Sequence, residues 1–395
     1  MEQQQTRMRR VIYAANFLLA FGTTVTLFTN SSFIEHTVGL RYVGAVYALS
    51  ALLAIAILSR TTKTLERIGN RTFFLRYGAL YALSLAAIIL PVPAMARVIG
   101  LGAYLCVTTV LIFSINVSFA HLSPKAGRGK TRALFLLLGN VGGLLAPTFA
   151  ARAIDFGGYV GTYALDLLVF LALSVLLFFG LRNFRDAQYA PPRILGAIRH
   201  TIRESTLRNV VAANFILQFF YAWMVVYTPI YLSQELGFSW DSIGLIFSCM
   251  IAAFVVLDYP LGRLADWIGS EKELAAIGFA IMSGSVFMLG AGGITTVLGV
   301  GIVLFCSRIG AATVEAMTEI HFFKIASDTD PSMLTLFSDI RPLSYVVAPL
   351  LGALCVAFLP FNMIFVVLGI ILLVGCYVAT QMEHTGHWWM RAHAE

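Results

Sequence analysis

The chain has 395 residues, 59% of them hydrophobic and only 12% charged, with a formal net charge of +7 at pH 7 and a mean hydropathy of +0.83. Soluble domains carry about 25% charged residues, so this composition excludes a water-soluble globule and makes the lipid bilayer the solvent. The positive balance is scattered over short loops between apolar segments, which argues against nucleic acid as a partner.

A membrane-spanning helix needs roughly 20 mostly apolar residues. Twelve segments qualify, at 11–34, 41–59, 72–92, 95–120, 131–153, 158–181, 209–232, 241–262, 273–292, 295–318, 332–357 and 361–381. The expected fold is therefore an all-α membrane protein of twelve transmembrane helices. Arg7, Arg9 and Arg10 precede the first span, and the even-numbered crossings return to the same basic side. Its loops carry Arg60 to Arg76, Lys125 to Arg132, Arg182 to Arg208, Arg263, Lys272 and Lys324. Opposite loops hold only Arg41, Arg97 and Arg152. The positive-inside rule then sets both termini in the cytoplasm, as for a multi-pass protein of a plasma (inner) membrane. No cleavable signal is expected, because the first apolar stretch is too long. The five cysteines (Cys106, Cys249, Cys306, Cys355, Cys376) all lie within apolar segments and read as small packing residues, not as a metal cage.

An offset of about 200 residues superimposes the chain on itself. Ala14-Ala15-Asn16-Phe17 returns as Ala212-Ala213-Asn214-Phe215, Ile68-Gly69 as Ile268-Gly269, Gly78 as Gly278, Cys106 as Cys306 and His121 as His321. Two pseudo-symmetric six-helix bundles follow, at 1–181 and 208–395, joined by a polar linker at 182–207. Residues 195–207 of that linker have helical spacing and a basic face suited to the anionic inner leaflet. Because each half has six spans, the halves are parallel repeats, with a site expected at their interface.

The loop after the eighth span reads Gly262-Arg263-Leu264-Ala265-Asp266-Trp267-Ile268-Gly269. It resembles the G-x-L-x-D-R-x-G loop signature of the major facilitator superfamily, with Trp267 in place of the usual Arg. The same loop of the first half keeps only a remnant, Glu66 to Arg71. The resemblance implies a secondary transporter working by alternating access, with a central cavity lined by the first, fourth, seventh and tenth helices. It needs no cofactor, catalyses no covalent reaction and is expected as a monomer. Asp266, with Gly262, Gly269 and Asp258, would form the inner gate, the acid capping a helix N-terminus of the other half. A tight turn with a solvated acid is the plainer reading. The fifth span's Gly139-Asn140-Val141-Gly142-Gly143 followed by Pro147 is either a packing device or a faint export signature.

Ionisable residues inside spans cost roughly 2.5–3.5 kcal/mol each at mid-bilayer, so they point to function. The tenth span sets Arg308, Glu315 and Glu319 on one helical face, beside the small residues Gly310, Ala311 and Ala312. The eleventh span brings Asp339 and Arg341 to a similar depth. Glu315 with Arg341 is the expected pair, and Glu315, Glu319, Asp339 and Arg341 are the candidates for proton coupling. Substrate contacts are assigned to Arg308, Glu315, Gln218, Tyr221 and Asn116. Gln218 and Tyr221 stand three residues apart on the seventh span and share a face. A static network is the alternative, in which Glu319, His321 and Lys324 tie helix ends to Arg263. Asn16 and Asn214 are expected to pack, Asp166 to be structural, and Trp223 and Tyr227 to be either cavity residues or lipid-interface anchors.

Gly129-Lys130-Thr131 is not a phosphate loop, since Pro124 stands where its first glycine belongs and no strand precedes it. His384, His387 and His393 beside Trp388-Trp389 read as an interfacial tail more than a metal site. The expected partners are a small-molecule substrate, protons and membrane lipid. Efflux of an amphipathic compound leads uptake of a metabolite. A lipid translocator and a transporter-like receptor are the other classes.

Overall fold

The computed structural model describes residues 2–122, 128–182, 201–268, 271–325 and 331–382. Every long apolar run is helical, as it must be where no water can satisfy a backbone N–H or C=O. We number the α-helices α1 (Glu2–Leu27), α2 (Asn30–Val38), α3 (Val43–Ile68), α4 (Asn70–Ile89), α5 (Ala94–Leu122), α6 (Arg128–Gly180), α7 (Ser205–Ile230), α8 (Trp240–Ile268), α9 (Glu271–Gly290), α10 (Val297–Ile325), α11 (Pro331–Phe358) and α12 (Met363–Thr380).

Two of these elements depart from one helix per span. The first span is broken, α1 ending at Leu27 and α2 starting at Asn30. Hydroxyls bond back onto the backbone around the break: Thr26 Oγ1 lies 3.1 Å from the Thr23 carbonyl oxygen, and Thr29 Oγ1 donates to the Thr26 carbonyl (3.0 Å), which also accepts from the Thr29 N–H. Helix α6 has 53 residues, about 80 Å if straight, against a hydrocarbon core of about 30 Å. It is two crossings, and the chain turns between them at Gly157 and Gly158, the latter at φ 58°, a left-handed conformation that glycine adopts without penalty. The structure is thus an all-helical membrane fold with the expected succession of apolar crossings. Leu83 (65% exposed), Leu298 (75%) and Phe358 (79%) present the large apolar side chains that suit a lipid-facing surface.

Packing divides the chain into two compact units, Met1–Pro191 with Val225–Ser248, and Pro192–Met224 with Cys249–Glu395. In the first, the Asn16 amide on α1 donates to the Phe135 carbonyl on α6 (2.7 Å), and Phe135 stacks on Phe119 of α5 (4.2 Å between centroids). Gly142 lets the helices meet, since a Cβ there would lie 2.7 Å from the Phe17 carbonyl oxygen. Asn70, at the start of α4, donates to the Ser114 carbonyl (3.2 Å) and to the Ser118 hydroxyl. Residues 225–248, the hairpin joining α7 to α8, also belong to this unit. Phe247 stacks on Phe28 (4.0 Å), Trp240 meets Tyr159 edge-on (5.7 Å), and Gly244 rests against the Pro147 carbonyl.

The second unit repeats these devices with its own residues. The Asn214 amide on α7 donates to the Phe337 carbonyl on α11 (3.3 Å), and Phe337 stacks on Phe322 of α10 (4.2 Å). Glu271 opens α9 as Asn70 opens α4. It pairs with Lys324 and lies 3.7 Å from His321 Nδ1. His321 and Lys324 thus meet the first residue of α9. Trp223 of this unit and Tyr227 of the hairpin assigned to the first are fully buried, which excludes their role as lipid-interface anchors. Cys106 is buried, whereas Cys249 is exposed, so packing does not account for all five thiols.

Helices α9 and α10 cross backbone to backbone. A Cβ on Gly278 would lie 2.8 Å from the Gly310 carbonyl oxygen, and one on Gly310 would lie 2.5 Å from that of Gly278. No rotamer change relieves a clash with backbone. Gly310→Val is therefore expected to destabilise the second unit by about 3 kcal/mol, seen as a lower midpoint of thermal unfolding in detergent. An unchanged midpoint would mean that the helices separate at no cost.

Candidate functional site in the second unit

Arg308 lies eleven residues into α10, about 17 Å along its axis, and is only 6% exposed. It does not face the acyl chains. Its guanidinium lies over two rings of α7, with centroids at 5.3 Å for Phe220 and 5.5 Å for Tyr221. Within about 6 Å of an aromatic face a desolvated cation gains up to about 2 kcal/mol. The planar guanidinium can lie on rings while its N–H groups stay directed outward. Tyr345 on α11 and Glu315 on α10 are in electrostatic reach of the same cation.

Glu315 stands two helical turns beyond Arg308 and accepts a hydrogen bond from the Tyr221 hydroxyl, 2.7 Å from Oε2. A single side chain therefore touches both charged groups, its ring on the cation and its hydroxyl on the carboxylate. Arg341 of α11 is exposed and also within electrostatic reach of Tyr221. Gln218, one turn before Tyr221, turns its amide toward Asn214 Oδ1 at 3.5 Å, and Asn214 is bound to α11 as described. Glu319 is exposed, one turn beyond Glu315.

Of the sequence-derived candidates, the structure brings together Arg308, Glu315 and Tyr221, with Arg341 and Gln218 close by. Phe220 and Tyr345 escaped sequence reasoning, because an apolar ring within an apolar helix carries no signal until the cation it covers is known. Asn116 belongs to the first unit. Its amide donates to the Ile112 carbonyl one turn back (2.9 Å), and its carbonyl accepts from Arg132 (3.3 Å). The side chains of Asp258, Gly262, Asp266, Gly269 and Asp339 lie outside the described residues, although α8 runs as helix past Gly262 and Asp266 to Ile268. The linker helix expected at 195–207 and the histidine tail also fall largely or wholly outside them. Among the described residues no cluster of His, Cys, Asp and Glu could hold a metal ion.

A charged pair bridged by a tyrosine can hold an anionic group against the guanidinium and a proton on the carboxylate. Among solved structures, the chain is similar to a POT family transporter in complex with a thioalcohol-conjugated peptide (TM-score 0.73, 14% identity, 94% of each chain covered). It is equally similar to a POT family transporter in complex with 5-aminolevulinic acid (0.73, 13% identity, 94% of each chain). The human organic anion transporter MFSD10 (TETRAN) also matches (0.67, 15% identity, 95% of this chain and 99% of that one). At these identities the likeness is one of fold. A comparison with curated proteins returned no match. The model of the Major Facilitator Superfamily matches residues 12–328, which is most of the chain and includes Arg308 and Glu315, and on that extent the chain belongs to the Major Facilitator Superfamily of secondary transporters.

Proposed function

We propose that this transporter moves an amphipathic organic solute bearing an anionic group, by alternating access, together with protons. The observation that carries the reading is the Tyr221 bridge between a buried arginine and a glutamate inside one helical bundle. Arg308 anchors the anionic group, and the aromatic rings around it suit an apolar remainder. Glu315 takes the proton. Burial makes an ionised carboxylate costly, while a nearby cation stabilises it, so an anion seated on Arg308 would weaken that stabilisation and favour protonation of Glu315. Solute and proton occupancy are thereby linked through a single tyrosine. Because solute and proton then bind together, an inward proton gradient would drive uptake, and uptake is the direction we favour over the efflux expected from the aromatic residues alone. The peptide and organic anion named for the similar structures agree with a solute of this class.

Purified protein in liposomes with an imposed pH gradient tests this. A panel of organic acids is screened for gradient-driven movement against its concentration, collapsed by a protonophore. Movement that ignores the protonophore removes proton coupling. Binding without movement makes the chain a receptor. Mixing of labelled lipid between leaflets would make lipid the cargo.

A further inference from the structure

The first unit holds a buried carboxyl, remote in sequence from Glu315 and unused by the site above. Asp166, on the later half of α6, is 1% exposed. Its Oδ2 accepts from two phenols at 2.8 Å each, Tyr81 of α4 and Tyr104 of α5. Its Oδ1 occupies the space that a Cβ on Gly22 of α1 would need. The titratable groups facing it are Tyr81 from α4, Tyr104 from α5 and Tyr163 from its own helix. From α1 come Gly22 and, through Tyr104, Thr26. Among the described residues none of these elements sets a Lys, Arg or His against it. A carboxylate kept in a helix bundle without a cation is costly, and a purely structural network would be as well served by asparagine.

The hydrogen bonds close in both protonation states. With Asp166 ionised, Tyr81 and Tyr104 donate to Oδ2, and the Thr26 hydroxyl, 2.5 Å from Tyr104 Oη, donates to Tyr104. With Asp166 protonated, Tyr81 still donates to Oδ2. Oδ2–H now donates to Tyr104, Tyr104 to Thr26, and Thr26 to the Thr23 carbonyl at 3.1 Å. Only hydroxyl rotation separates the two patterns, so neither state leaves a buried donor without an acceptor.

We propose that Asp166, Tyr104 and Thr26 form a proton-binding site within the first unit, read out on α1 by reversal of the hydroxyl chain. The proton comes from water and forms one O–H bond at Oδ2, with no other covalent change. Its far end, the Thr23 carbonyl, lies one turn before the break that separates α1 from α2. Protonation therefore changes the bonding of the segment where the first span is interrupted.

Infrared spectroscopy of the full-length protein in lipid nanodiscs tests this through the C=O stretch of a protonated carboxylic acid, identified by its shift in heavy water. The expected result is a band that grows as pH falls, is missing in Asp166→Asn and persists in Glu315→Gln, so that this site stands or falls apart from the transport site. Two conservative variants probe the chain. Tyr81→Phe removes a donor whose bond is stronger to the carboxylate than to the acid, and at the pH of half-protonation it raises the acid-to-carboxylate ratio about fivefold. Thr26→Val strands the Tyr104 proton in the neutral state and lowers that ratio by a similar factor. A band that survives Asp166→Asn, or that is constant or absent over the accessible pH range, overturns the site. Shifts of the same sign in Tyr81→Phe and Thr26→Val overturn the hydroxyl chain.

Discussion

Glu315→Gln abolishes proton-driven concentrative transport while leaving exchange of internal for external solute. The replacement keeps the shape of the side chain, and its amide oxygen can still accept the Tyr221 hydroxyl that lies 2.7 Å from the native carboxylate. What is lost is the capacity to carry a proton. If one proton moves per solute, each pH unit of gradient sustains about a tenfold concentration ratio, since 1.36 kcal/mol corresponds to one unit. In the variant that ratio falls to unity at every gradient, while exchange of labelled solute continues at a rate close to that of the native protein. The two assays use the same liposomes and differ only in whether solute is present on both sides. Native accumulation in Glu315→Gln would remove the residue from proton coupling. Loss of both activities would mean that Tyr221 needs a charged acceptor to hold the site together, and would place Glu315 in solute binding instead.

The chain's fold was legible because a bilayer admits so few structures. Twelve apolar runs of spanning length, repeating at an offset of about 200 residues, leave little besides a duplicated helical bundle, and matched residues such as Asn16 and Asn214 take the same position against a partner helix in each unit. The break at Thr29 was not legible. It depends on threonine hydroxyls answering their own backbone, and threonine is common in unbroken spans. Nor was the assignment of residues 225–248 to the first unit, since a covalent boundary at the linker says nothing about where a hairpin packs. In the site, intramembrane charge singled out Arg308 and Glu315, and helical spacing brought in Tyr221. One relation escaped the sequence: Glu315 accepts a hydrogen bond from a phenol on another helix, which a search for a pairing cation does not find. Asp166 was read as structural for a similar reason. Whether a buried acid is a strut or a proton carrier depends on the hydroxyls around it, and these come from helices far apart in the chain.

Arg308→Lys lowers the apparent affinity for an organic acid by about tenfold to a hundredfold, yet leaves the fold intact. The charge is conserved, so Glu315 and Tyr345 keep a cation within reach and no buried carboxylate is stranded. The geometry is not conserved. A guanidinium covers two rings at once, at 5.3 and 5.5 Å from Phe220 and Tyr221, and can still direct paired N–H groups at a carboxylate. An ammonium is a compact point charge that cannot rest on both rings and present a fork. The lost stacking and the lost second hydrogen bond come to about 1.5–3 kcal/mol, which gives the factor stated. The contrast between an organic acid and its methyl ester isolates the cause. The native protein should prefer the acid strongly, and the variant should bind the two with nearly equal affinity. Thermal stabilisation of purified protein by each compound reads both affinities without requiring transport. An acid-to-ester preference unchanged by the substitution would mean that Arg308 holds α7 against α10 and does not touch the solute. The anionic class proposed for the cargo would then fall, while the proton role of Glu315, tested in liposomes, would stand on its own result.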